Sequence, residues 1–123
     1  MAKYLLIQHY EGGAGGDTPM GDWDPADVRA HIDFQVALDA DLSAAGELVD
    51  SQGVAFEAVI VTSDGTTTSQ GAPDGKLLAG YRVVDVATRQ RALEIAARTS
   101  AAPGAKGVPI QQPIEVRRVM QAP

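Results

Sequence analysis

Apolar positions along the chain fall into one short unbroken run, one long helical stripe and several alternating stretches, separated by glycine- and proline-rich punctuation. Tyr4 to Tyr10 is nearly continuous in apolar character, the pattern of a strand covered on both faces. It gives way to a glycine-rich loop, Gly12 to Gly16, which leads through Thr18-Pro19-Met20-Gly21 to Asp24-Pro25. Asp24 is placed to cap a helix whose first position suits Pro25. The helix is predicted to reach about Ala45, with Gly46 as its left-handed stop. Val28, Ile32, Phe34, Val36, Leu38 and Leu42 form its apolar arc at about 100° per residue.

Glu47-Leu48-Val49-Asp50 reads as a brief extended segment. Val54 to Val61 alternates as a strand with Phe56, Ala58 and Ile60 on one face, ending at Ser63-Asp64-Gly65. The polar stretch from Thr66 to Gly75 suits a hairpin connection, with a short strand at Thr66 to Ser69. Leu77 to Val86 is the next strand, and Gly80 within it leaves room for another backbone or a ligand. Thr88 caps a second helix through about Thr99, with Ala92, Leu93 and Ala96 inward and Arg89, Arg91 and Arg98 outward. Pro103-Gly104 ends it, and Ile114 to Met120 forms the last strand. Arg117 and Arg118 adjoin there and must point to opposite faces.

The order strand, helix, strand, strand, helix, strand is that of a single α+β domain over residues 1–123, a ferredoxin-like βαββαβ fold with an antiparallel sheet and two helices on one face. The sheet's other face inherits Tyr4 or Leu5, Val83 or Val84, and Val116 or Val119. An apolar outer face predicts a homodimer that covers it, a dimeric α+β barrel in architecture.

The candidate chemistry lies inside the first helix's apolar arc. His31, Gln35 and Asp39 recur every four residues there, and an unpartnered polar group in such a place costs roughly 1 to 3 kcal/mol. Each is expected to have a partner, a ligand or a water. Imidazoles titrate near neutrality, so His31 is the candidate acid or base. Asp39 stands about 12 Å along the helix from it, too far to orient the ring, whereas Asp27 one turn earlier is placed to do so. The bland alternative is an ordinary i, i+4 helix pair or a histidine bonded at a dimer interface. Gln35 and Asp39 are candidates for binding a ligand or for anchoring the opposing strand. His9, on the same strand face as Leu5 and Ile7, and Tyr81 are further ligand-binding candidates. A metal site from His9, His31 and Asp39 has suitable ligand types but no supporting local spacing, and none is expected. Gly12 to Gly16 lacks the lysine and spacing of a phosphate-binding loop.

Charge narrows the partners. The net charge of −6 argues against nucleic acid, whose phosphates call for clustered Lys and Arg. Its distribution is uneven: 13 acidic and 2 basic residues precede Lys76, and 3 acidic and 8 basic residues follow from it onward. The two halves are expected to complement each other within the fold, the alternative being complementarity between subunits. With no cysteine there is neither a disulfide nor a thiolate site. No segment has the length of a signal peptide's or a membrane span's apolar stretch, so a cytoplasmic protein away from membranes is the expectation.

Lys3-Tyr4-Leu5-Leu6-Ile7, Leu42-Ser43-Ala44-Ala45-Gly46-Glu47-Leu48-Val49-Asp50-Ser51-Gln52-Gly53, Leu78-Ala79-Gly80-Tyr81-Arg82-Val83-Val84-Asp85-Val86, Ala92-Leu93-Glu94-Ile95-Ala96-Ala97-Arg98 and Pro113-Ile114-Glu115-Val116-Arg117 together resemble the YCII-related family, in its DGPF branch. The resemblance spans nearly the whole chain and is more specific for fold than for activity. It implies a bacterial ferredoxin-like domain, dimeric as a rule, with a cleft between helices and sheet near the dimer interface. Most members have no established reaction; a few relatives act as small-molecule lyases with a histidine and an aspartate proposed at the cleft, and His31 stands near the helix histidine of those relatives. DGPF-branch members often accompany extracytoplasmic-function sigma factors. The branch signature is degenerate here, with Ser69-Gln70-Gly71-Ala72-Pro73-Asp74-Gly75-Lys76 in its place.

The reading that results is a homodimer binding a small polar molecule near His31, without cofactor, with lyase- or isomerase-like proton transfer as its chemistry if it is an enzyme. The alternative is a non-catalytic interaction module associated with a sigma factor or another regulator.

Overall fold

A computed structural model describes residues 1–9, 20–55, 57–65, 67–68 and 78–122. The Gly12 to Gly16 loop, Phe56 and the degenerate motif at 69–76 lie outside the described residues. Four strands, β1 (Ala2–His9), β2 (Leu48–Gly53), β5 (Leu78–Val86) and β6 (Ile114–Arg118), form one sheet in the order β2-β5-β1-β6 with antiparallel neighbours throughout. Two helices, α1 (Pro25–Ala44) and α2 (Arg89–Ser100), complete an α+β architecture compatible with a ferredoxin-like fold. A separate ribbon pairs β3 (Ile60–Val61) with β4 (Thr67–Thr68).

Register decides which face of the sheet is covered. Tyr4 lies opposite Val84, and Leu6 opposite both Arg82 and Val116. Tyr4, Leu6, Val84 and Val86 share one buried core with Leu38 and Leu42 of α1 and Ala92, Ile95 and Ala96 of α2, so both helices pack on the same face. Leu5, Ile7, His9, Tyr81, Val83 and Asp85 alternate onto the other face and are half-buried. In α2 the deepest inward side chain is Ile95, whereas Leu93 is only half-buried.

The helix ends depend on particular residues. Asp24 does not cap α1 through its side chain, contrary to expectation; its carbonyl accepts from the Asp27 and Val28 amides at 2.9 and 3.1 Å, with Pro25 at the first position. At the other end Gly46, at φ +73°, donates to the Ser43 carbonyl while Glu47 donates to that of Leu42. These two bonds form a Schellman motif, which requires the left-handed residue that glycine provides. Thr88 caps α2 as predicted, its hydroxyl accepting from the Arg91 amide at 3.1 Å.

The second sheet strand is Leu48–Gly53, not the alternating stretch from Val54 to Val61. A Cβ on Gly80 would stand 2.8 Å from the Gln52 carbonyl oxygen and 3.3 Å from the Gly53 Cα, so its bare backbone is what lets β2 lie against β5. The Val54 amide extends this pairing to the Ala79 carbonyl at 2.9 Å. With the edge of β5 occupied, only Ile60 and Val61 among the described residues of the 54–61 stretch enter a strand, in the small ribbon, and Val59 and Val61 remain exposed.

Part of the uneven charge distribution is met within the chain. Arg82 pairs with Asp39, Arg91 with Glu47 and Arg98 with Asp41, at 2.7, 2.8 and 2.9 Å. Each joins an acidic residue of the first half to an arginine of the second. Arg91 is therefore half-buried against Glu47 rather than simply outward.

Candidate functional site

A cleft of about 830 Å³ opens between α1, the β2–β5–β1 part of the sheet and the 99–114 segment. Its size falls in the range of small-molecule sites. The buried face of α1 is not centred where the apolar arc predicts: Ile32 and Val36 are exposed, while His31 is 6% exposed and Gln35 and Asp39 are partly covered. All three members of the polar row line the cleft.

Gln35 and Asp39 share a partner in Arg82, which is 6% exposed and points from β5 toward α1. Its Nε donates to Asp39 Oδ1 at 2.7 Å, Nη1 to Thr99 Oγ1 at 3.3 Å, and Nη2 to Gln35 Oε1 at 2.5 Å and, more weakly, to the Gln35 carbonyl at 3.4 Å. A buried guanidinium needs a countercharge and several acceptors, and the row provides them. The Gln35 amide nitrogen then lies 3.4 Å from His31 Nε2, and His31 Nδ1 lies 2.9 Å from the Pro103 carbonyl. Because a carbonyl can only accept, Nδ1 carries a proton, and the neutral ring has its lone pair at Nε2. Trp23 meets the ring edge-on at a centroid distance of 5.6 Å.

The carboxylate expected to orient His31 has another task. Asp27 Oδ2 accepts from the Lys106 backbone amide at 2.9 Å, so Asp27 and His31 together tie the first two turns of α1 to the 103–106 turn. Within that segment Gly104 is tightly enclosed: a Cβ there would come within 2.5 Å of Ile110 Cγ2. Lys106 and Gln111 adopt φ of 58° and 50°, left-handed values uncommon for residues with side chains.

Two predicted site residues are not brought to the row. His9 alternates onto the sheet face away from the helices, where its Nε2 lies 3.4 Å from Glu115 Oε1. Its parity with Leu5 and Ile7 holds, but Tyr4 and Leu6 take the core face. Tyr81 borders the cleft, yet its hydroxyl donates to Asp50 Oδ2 at 2.9 Å, on the side opposite Arg82. That bond holds the Asp50 carboxyl below the usual carboxylate range and raises the Tyr81 phenol above its own. No group of three or more His, Cys, Asp or Glu side chains suited to a metal occurs among the described residues.

Arg82, Trp23 and Pro103 are the contributors that sequence reasoning missed. Arg82 had a readable signal: if Val84 and Val86 face the core, alternation sends Arg82 the same way. Pro103 acts through its carbonyl and so leaves no trace in residue type. Compared with models of protein families and with curated proteins, the chain matches none.

Proposed function

We propose that this protein binds a small organic molecule in the cleft beside His31. The observation that carries the reading is an imidazole fixed at one nitrogen by the Pro103 carbonyl, with the other nitrogen beside Gln35 on a cleft of about 830 Å³. A ring held in one tautomer with its lone pair at Nε2 is also suited to accept a proton, so lyase- or isomerase-like proton transfer is the chemistry we propose if the bound molecule is transformed. The resemblance to the YCII-related family supports the same reading, together with a homodimer covering the outer sheet face through Leu5, Ile7 and Val83. No described helix is long and apolar enough to cross a membrane, and we take the protein to act in the cytoplasm.

The test is a thermal-shift screen of small molecules on the wild type and His31→Asn. Asparagine keeps a side-chain donor near the Nδ1 position and removes Nε2. A ligand at 100 times its Kd stabilises the folded state by about 2.7 kcal/mol. The expected outcome is hits that shift the wild type and not His31→Asn. Hits that shift both variants equally contradict a site at His31.

A second reading is an interaction module without chemistry, for which a sigma factor is the partner that the resemblance implies. It is favoured by Ile32 and Val36, exposed one turn apart on α1 at 48% and 62%. Loss of a co-purifying partner from Val36→Asp, with ligand hits intact, would favour this second surface as well as the cleft.

A further inference from the structure

We infer that the cleft selects an uncharged amphiphile, a molecule with an apolar body and one hydrogen-bond-donating head, over an ionic ligand. The inference rests on the proposed binding role of the cleft and adds the class of molecule to it. Charge is the first ground. Among the described residues lining the cleft, Arg82 is the one side-chain cation and Asp39 the one carboxylate, and they bond to each other at 2.7 Å. Arg82 is also committed to Thr99 and twice to Gln35, so it is not waiting for an anionic headgroup. A ligand with a full charge would leave water for a lining whose described residues offer no free countercharge, and that desolvation is unfavourable.

The walls supply the second ground. Leu6, Ile110 and Ile114 line the interior, while Met20, Ile32 and Val54 line the cleft with 39%, 48% and 39% of their surfaces exposed. An apolar body laid along them removes both its own surface and theirs from water. Three separate places, the 20–22 turn, α1 and the residue just after β2, contribute these exposed side chains.

Polarity at one place supplies the third. His31 is more than nine-tenths buried, its Nδ1 proton is taken by Pro103, and among the described residues Nε2 has only the Gln35 amide at 3.4 Å. Such a nitrogen accepts a hydrogen bond from a hydroxyl or an amide N–H better than it accommodates a carboxylate. The Gln35 contact is long enough for a stronger donor to displace it.

The full chain, titrated with 1-alkanols of increasing length below their aggregation limits, tests this through Trp23, the only tryptophan of the sequence and a cleft-lining residue. Kd is expected to fall about fourfold per added methylene while the cleft fills, the equivalent of about 0.8 kcal/mol each. The carboxylate and the alkylammonium of matched length should bind at least about tenfold more weakly. The alcohol should bind several-fold better than its methyl ether, and His31→Asn should remove that preference. If the carboxylate or the ammonium binds as tightly as the alcohol, the proposed selectivity is wrong while the cleft remains a binding site. If none of the probes changes Trp23 emission or the wild-type thermal transition, the selectivity and the binding role fall together.

Discussion

Removing either end of the Arg82–Asp39 pair should destabilise the protein, but by unequal amounts. Asp39→Ala leaves a guanidinium that is 94% buried with its Nε–H unpaired and its countercharge gone. Stranding one member of a buried pair costs about 3–5 kcal/mol, and the neutral acceptors on Gln35 and Thr99 keep this case near the lower end. Arg82→Met instead leaves Asp39, whose side chain is 31% exposed and can rehydrate. Its cost is that of the orphaned acceptors on Gln35 and Thr99, about 1–3 kcal/mol. In the double variant no charge is stranded, so the loss should be close to that of Arg82→Met alone, giving a coupling equal to the Asp39→Ala loss, about 3 kcal/mol. At about 0.05–0.15 kcal/mol per residue a chain of 123 residues has enough stability for all three variants to remain folded. Urea unfolding followed by Trp23 fluorescence and by circular dichroism, with the slope checked for constancy, measures all four corners of the cycle. Single losses that add to within about 0.5 kcal/mol would refute the reasoning, because they would mean that the guanidinium meets water, not a sealed acceptor set.

Two further outcomes follow from the geometry elsewhere. Gly80→Ala should cost about 1–3 kcal/mol in the same urea assay, because its Cβ would stand 2.8 Å from the backbone oxygen of Gln52 and the β2–β5 seam would have to part; Gly53→Ala, which meets nothing within 4 Å, should cost distinctly less. The Arg91 hydrogen bonds hold the Glu47 carboxyl below its ordinary value of 4.5, so the folded state binds fewer protons there than the unfolded chain. The stabilisation is fully present above that ordinary value and is lost as pH falls through the lowered one. The stability gap between the wild type and Glu47→Gln should therefore be larger at neutral pH than at pH values well below the ordinary carboxylate range, and a gap independent of pH would contradict it.

Local signals were legible in the sequence, and choices among distant partners were not. The Gly46 stop, the Thr88 cap and the span of α1 each depend on a few adjacent residues, and the structure has them within a residue or so of their predicted places. The second sheet strand was misplaced because Val54 to Val61 alternates well by itself. What decides the pairing is the absence of a side chain on Gly80, a property of the partner strand. The first strand is apolar on both faces, so nothing in it says whether Tyr4 and Leu6 or Leu5 and Ile7 meet the helices. That choice carried His9 to the far face. The polar row of α1 was visible from its spacing, and the demand for partners followed from physical chemistry. The partner itself is 43 residues from Asp39 in the chain, beyond any local pattern, although the surplus of arginine after Lys76 pointed to its type.

The contacts that satisfy His31 do not make it purely structural, because they load its two nitrogens very differently. The 2.9 Å bond to Pro103, reinforced by the parallel Asp27–Lys106 bond, belongs to the fold, since it fastens the start of α1 to the turn after α2. The 3.4 Å approach of Gln35 is at the edge of hydrogen bonding and contributes little to stability. The Gln35 amide is also held at its side-chain Oε1, which accepts from Arg82 at 2.5 Å, so it need not move far when a donor takes its place at Nε2. The cost of admitting a ligand is then one weak contact, not the disruption of the Arg82 hub. Structural support and ligand recognition thus fall on different atoms of one ring, which is why a variant that keeps the Nδ1 donor and deletes Nε2 separates them.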